Sequence, residues 1–199
     1  MPENIEPEMT DARSQAIIRS VYPPGSLAYD IFIAHAAAVT RKAVEVARRL
    51  PHLNPDIAFI AEASMLHDIG ICFTNAPSIG CTGNYPYVCH GYLGRKMLED
   101  RGLHRHALVC ERHVGTGLSA AEISDRALPL PERDMLPESI EEQIICYADK
   151  FFSKKSRELN TERPISHVVR DLEKYGPEPV RQFLEWVDRF EPGRFCDTK

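Results

Sequence analysis

Apolar residues recur along most of the chain at steps of three and four, the period of a helix with one buried face. From Ser26, a residue suited to capping a helix, to Leu50, the residues Ile31, Val39, Val46 and Leu50 form one stripe. Arg41, Lys42, Glu45, Arg48 and Arg49 mark a wetter side. His35 lies four residues from both Ile31 and Val39, which puts an imidazole on the apolar stripe. Pro51 and Pro55 bracket a loop, and the next helix is expected from Asp56 to about Asp68, with Ile57, Ile60, Ser64 and His67 on one face and Gly70 as its C-cap. A third long helix is expected from Glu138 to about Leu159, with Ile145, Asp149 and Phe152 on one stripe.

Shorter elements fill the rest. A helix over Asp11 to Val21 is stopped by Pro23-Pro24-Gly25, and others are expected from His90 to Arg101, Leu103 to His113, Pro164 to Tyr175 and Pro177 to Phe190. Phe183 and Trp186 read as packing residues in the last of these. Residues 71–89 form a long irregular segment of the kind that often serves as a lid or binding loop, and 127–137, with three prolines, is a further connection. No segment alternates as a strand would. The expected fold is all-α, a single compact domain of about seven to nine helices over residues 11–199, with a core at about 27–155, C-terminal helices at 164–190 and a mobile arm at 1–10.

Composition narrows the function. A chain of 199 residues buries a core without staples, and its six cysteines show no CxxC spacing, so they read as thiols in a cytoplasmic protein. No stretch approaches the roughly 20 apolar residues that span a bilayer, so no membrane partner is expected. A net charge of −5 argues against general nucleic-acid binding, though not against a small anionic substrate held by metal ions. A homo-oligomer is left open. His52, His104, His106 and His167 fall in polar or loop settings and are expected at the surface.

The helical period turns His35, His67 and Asp149 toward one interior, with Asp68 beside His67. Buried ionised carboxylates need cations or strong donors. Neutral imidazole together with carboxylate suits one or two divalent transition metals: Fe, Mn, Zn, Ni or Co. Cys72, Cys81 and Cys89 with His90 form a weaker zinc candidate because their spacing is irregular.

The order His35, His67-Asp68, Asp149, each on a helix, resembles the HD-domain superfamily of metal-dependent phosphohydrolases, and His67-Asp68-Ile69-Gly70 resembles its HDIG subgroup. His90-Gly91 and Glu111-Arg112-His113, placed between them, resemble the extra ligands of the binuclear members. That resemblance implies a bridge at Asp68, with His35, His67 and Asp149 on one ion and His90 and His113 on the other. The run from His90-Gly91 through His113-Val114-Gly115-Thr116-Gly117 to Ala148-Asp149-Lys150 is similar to the bacterial family that splits diadenosine tetraphosphate symmetrically. Ile71 stands where many cyclic-dinucleotide phosphodiesterases of the superfamily carry lysine, and no Gly-Tyr-Pro follows His113, so cyclic di-GMP is not the expected substrate.

The implied activity is hydrolysis of a phosphoester or phosphoanhydride of a small molecule, a nucleotide first of all, by a metal-bound hydroxide. Asp68 and Lys150 are the catalytic candidates. Lys150 and Thr116 are the substrate-binding candidates, Thr116 with the amides of Gly115 and Gly117 as a phosphate cradle or a plain helix-ending turn. Two alternatives stay open: a mononuclear nucleoside-monophosphate phosphatase, in which His90 and His113 merely end helices, and a non-catalytic nucleotide-binding regulatory module.

Overall fold

Ser26 starts the helix around which the others pack. Its hydroxyl accepts from the Tyr29 amide at 3.1 Å and opens α2 (Leu27–Arg49), which follows the short α1 (Ala12–Val21). The computed structural model describes residues 12–154 and 159–194; the arm expected at 1–10 lies outside them. Ala36, Ala37, Ala38, Ala43 and Ala47 are all buried on α2. Small side chains there let two further helices approach closely: α3 (Ile57–Leu66), capped by the Asp56 carboxylate at 3.0 Å from the Phe59 amide, and α7 (Ile140–Asp149), capped by Ser139. Between α3 and α7 in the chain lie α4 (His90–Glu99), α5 (His104–Arg112) and α6 (Ala120–Asp125), and after them α8 (Ile165–Leu172) and α9 (Pro177–Phe190). Nine α-helices among the described residues, with one antiparallel pair of two-residue strands, Asn75–Ala76 against Cys81–Thr82, make the fold all-α.

Two apolar clusters divide the molecule. One joins the C-terminal half of α2 to α3, α7, α8 and α9 through Ile144, Tyr147, Phe151, Phe183 and Trp186. The other joins the N-terminal half of α2 to α1, α4 and α5 through Tyr22, Phe32, Leu66, Leu98 and Cys110. His35 falls near the divide on α2, next to Ala36 of one cluster and three residues before Ala38 of the other.

Several expected elements differ. The third long helix is only ten residues long and ends at Asp149; Phe152 and Lys154 lie in irregular chain, and 155–158 fall outside the described residues. Arg163 reaches back to the Lys150 carbonyl at 2.6 Å and its amide to the Phe151 carbonyl at 2.9 Å, which satisfies the broken helix end. α3 stops at Leu66, before Asp68, and Gly70 is not its C-cap but part of a 3-10 helix, Ile69–Phe73. Glycine is required at 70 for another reason: a Cβ there would stand 2.2 Å from the His90 carbonyl oxygen and 2.4 Å from the Gly94 amide, so α4 can lie against this turn only if the side chain is absent. α6 was not expected at all, although Ser119 and Glu122 form a capping box that marks its start.

Individual residues depart too. Ile57 is exposed rather than turned inward with Ile60, Ser64 and His67. Lys42, placed on the wetter side of α2, is buried: its ammonium lies 2.9 Å from both Glu162 and Glu191 and 4.3 Å from the centre of the Phe151 ring. His106 is half-buried against Phe59, 3.3 Å from Glu62.

Candidate metal centre

His35, His67, Asp68, His90, His113 and Asp149 converge in one buried spot. α2 carries His35, the end of α3 carries His67, the following residue is Asp68, α4 opens on His90, His113 ends α5, and Asp149 is the last residue of α7. Asp68 sits at the centre. Its Oδ2 is 3.2 Å from the Nε2 of both His35 and His67, which lie 3.0 and 3.4 Å from Asp149 Oδ1. Its Oδ1 is 3.3 Å from the Nε2 of both His90 and His113, themselves 3.1 Å apart.

Three of the four imidazoles are oriented by their own backbone. Nδ1 of His67, His90 and His113 lies 2.6, 2.6 and 2.7 Å from the carbonyls of Ser64, Tyr87 and Cys110, each three residues earlier. A carbonyl can only accept, so each Nδ1 carries the hydrogen and each Nε2 presents a lone pair to the centre. His67 Nε2 and both oxygens of Asp68 are buried without a hydrogen-bond partner. Polar atoms left this way cost stability unless a cation lies among them. Ligands held about 2.0–2.2 Å from one ion stand roughly 3.0–3.5 Å from their neighbours in octahedral or tetrahedral geometry. Both groups of atoms match that spacing, so the donor set fits a divalent metal.

The charges point the same way. Burial pushes the Asp68 carboxyl up, but Lys154 and His67 outweigh it and hold the group well below the usual carboxylate range. Asp149 is held low in the same way by Lys150 and Lys154. Burial pushes His67 down, and the charge of Asp68 with the close approach of both carboxylates more than reverses it, to about 9. His90 is pushed down to about 3, mainly by burial, and His113 is lowered for the same reason. The His67 side of Asp68 thus attracts a positive charge strongly, and the His90 and His113 side resists taking that charge as a proton.

A cavity of about 430 Å³ opens onto this cluster, floored by His90, His113, Asp149 and Lys150. Lys150 lies 2.7 Å from Asp149 Oδ2 and donates to the His113 carbonyl at 3.2 Å, so it ties the two ligand groups together. Thr116 is on the cavity wall, in a turn between Gly115 and Gly117, whose φ angles are 64° and 97°. The Gly117 amide donates to the Val114 carbonyl at 3.0 Å, so it is not available to cradle a phosphate. Cys72, Cys81 and Cys89 join no metal-competent group among the described residues.

Two residues at the site carry no sequence signal that singled them out. Lys154 lies 2.7 Å from Asp68 Oδ2, and Tyr87, from the 71–89 segment, packs its ring 4.7 Å from that of His90. In the longer helix expected from sequence, Lys154 would point about 140° away from Asp149. The early end of α7 is what brings it in.

Residues 32–153 match the family model of the HD domain, and the chain belongs to that family. It is 30% identical over 146 residues to an uncharacterized protein of Methanocaldococcus jannaschii, covering 71% of this chain and 75% of that one. It is 27% identical over 164 residues to the tRNA (cytidine(56)-2'-O)-methyltransferase of Thermoplasma volcanium, and 32% identical over 125 residues to the enzyme of that name from Picrophilus torridus. Those alignments cover 82% and 62% of this chain but only 42% and 32% of the methyltransferases, so the chain spans less than half of either. No solved structure matches it significantly. HD domains bind divalent metals, and among the described residues no helix is long and apolar enough to cross a membrane.

Proposed function

We propose that this protein is a metal-dependent phosphohydrolase with a binuclear site, acting on a small phosphorylated molecule, a nucleotide in the first instance. The observation that carries the reading is the division of Asp68: Oδ2 faces His35 and His67 while Oδ1 faces His90 and His113, as a carboxylate bridging two ions must. His35, His67 and Asp149 would hold the first ion, and His90 and His113 the second. Such ions, when bound, would supply a hydroxide near neutral pH and polarise phosphate oxygens.

The chain's own groups do the rest. The i−3 carbonyls keep the imidazoles of His67, His90 and His113 in the ligating tautomer. Lys150 holds Asp149 in place and adds positive charge beside the cavity. The cavity is in the size range of small-molecule sites, and Tyr87 and Tyr175 at its wall offer aromatic faces to a base. Thr116, on the cavity wall, would contact substrate.

Preparations loaded with Mn, Fe, Zn, Ni or Co in turn should release phosphate or cleave a phosphoanhydride from at least one nucleotide in a panel of mono-, di- and dinucleotides, and Asp68→Ala should abolish it. A metal-loaded protein inactive across the panel contradicts the reading. One observation favours a second: the chain matches less than half of two proteins named as tRNA-modifying enzymes, as a sensing domain beside another activity would. Nucleotide binding by calorimetry with no product would select that one.

A further inference from the structure

The cavity side of the ligand cluster is held by a lysine. An ion ligated by His35, His67, Asp68 and Asp149 would sit about 2.1 Å from each donor. The Lys154 ammonium lies 2.7 Å from Asp68 Oδ2 and 3.9 Å from Asp149 Oδ1, and its residue lines the cavity. It is also off the line of a hydrogen bond to Asp68, whose Oδ2 has no partner by that geometry. The Tyr87 side chain, on the wall of the same cavity, lies close enough to this ammonium for the two to interact. Lys150 stands nearby, 2.7 Å from Asp149 Oδ2, and also faces the cavity.

We propose that Lys154, steadied by Tyr87, grips a non-bridging oxygen of the substrate's phosphate and, with Lys150, makes the site select dianionic phosphate monoesters over monoanionic diesters. The proposal rests on the phosphohydrolase reading above. Its electrostatic basis is a balance among the side chains. Asp68 and Asp149 cancel Lys150 and Lys154, so the charge of any bound ion is left for nucleophile and substrate to neutralise. In a buried site a dianion does this better than a monoanion. Lys154 and Tyr87 also line the cavity and take up room that the second organic group of a diester would need. Val88, Leu128, Leu172 and Pro179 form an apolar wall for the one organic group of a monoester.

The test compares wild type, Lys154→Met, Lys154→Arg and Tyr87→Phe, each loaded with metal and checked for metal content. Inorganic phosphate is titrated by calorimetry, and hydrolysis of p-nitrophenyl phosphate is compared with that of bis(p-nitrophenyl) phosphate. Wild type should bind phosphate and prefer the monoester. Lys154→Met should bind phosphate about tenfold or more weakly, in keeping with loss of a charge-assisted hydrogen bond. It should raise KM for the monoester more than for the diester, and Lys154→Arg should restore part of the loss. Tyr87→Phe should weaken phosphate binding a few-fold, and it decides the matter if Lys154→Met fails to fold or to retain metal. Lys174→Met, an exposed lysine elsewhere, should change nothing. No phosphate binding by wild type, equal phosphate affinity in the variants, or a wild-type preference for the diester overturns the proposal. If neither ester is cleaved, the hydrolase reading fails on its own, and the phosphate titration still decides Lys154.

Discussion

His90 and His113 face each other through Nε2 at 3.1 Å, each with its Nδ1–H committed to a backbone carbonyl. Two lone pairs at that distance repel unless a positive charge lies between or beside them. Burial keeps both imidazoles from taking that charge as a proton at neutral pH. A metal ion shared with Asp68 Oδ1 would resolve the contact. His90→Gln or His113→Gln should therefore lower bound metal from about two ions per chain to about one, read by elemental analysis after gel filtration. Unchanged stoichiometry would remove these residues from the ligand set.

Asp68 should matter more than either histidine. Asp68→Asn keeps the volume but takes the bridging charge from both groups at once. Both ions should be lost or held weakly, and hydrolysis should fall at least about a hundredfold, since polarisation of a phosphoryl oxygen by metal contributes several kcal/mol. Metal content and turnover measured on one preparation check this. A variant that keeps two ions and more than a tenth of the activity speaks against bridging.

Gly70→Ala probes how the fold sets the site. The added methyl would meet the His90 carbonyl and the Gly94 amide, both backbone, so α4 must move as a unit. Overpacking of this kind costs about 1–3 kcal/mol, and urea unfolding should show it. Because α4 opens on His90, the displacement should also weaken the second ion more than the first. A neutral substitution would mean that α4 is not wedged against this turn.

Glu191 makes stability depend on pH. It accepts from the Tyr147 hydroxyl at 2.5 Å and from Lys42 at 2.9 Å, and Arg49 and Arg194 pair with it as well. Burial pushes its carboxyl up, and the Tyr147 hydrogen bond with the Lys42 charge outweighs this, bringing it down to about 2. A carboxyl lower in the folded than in the unfolded chain, where Glu titrates at about 4.3, stabilises the fold fully above that pH. The stabilisation is lost as pH falls from about 4.3 toward about 2. Urea unfolding at pH 7, 4 and 3 should show this decline in wild type and a shallower one in Glu191→Gln, which should be less stable at pH 7. Parallel pH profiles would contradict it.

Much of the site was legible because it lies on regular helices. Four-residue spacing on α2 marks His35, and three-residue spacing on α3 marks His67, without any tertiary knowledge. Ser26 and Asp56 as caps are equally local signals. What could not be read depends on chain ends and on contacts between distant segments. Nothing near Leu159 shows that α7 stops at Asp149, because the bonds satisfying its end come from Arg163; with the helix drawn too long, Lys154 was turned away from the site. Gly70 looks like a C-cap in sequence and is instead a point of contact with α4. Lys42 looks solvent-facing until Glu162 and Glu191 arrive from the C-terminal part of the chain. The capping box at Ser119 and Glu122 was readable and marks a helix that the run of nearby prolines obscures.

The central claim is that one carboxylate, Asp68, joins two metal ions. Anomalous difference maps from crystals of the metal-loaded protein, collected at the absorption edge of the bound metal, test it most directly. Two peaks about 3.5–4 Å apart on either side of Asp68, one within reach of His35, His67 and Asp149 and the other within reach of His90 and His113, are the expected result. A single peak beside His35 and His67 with His90 and His113 bare, or no peak at all, would contradict it.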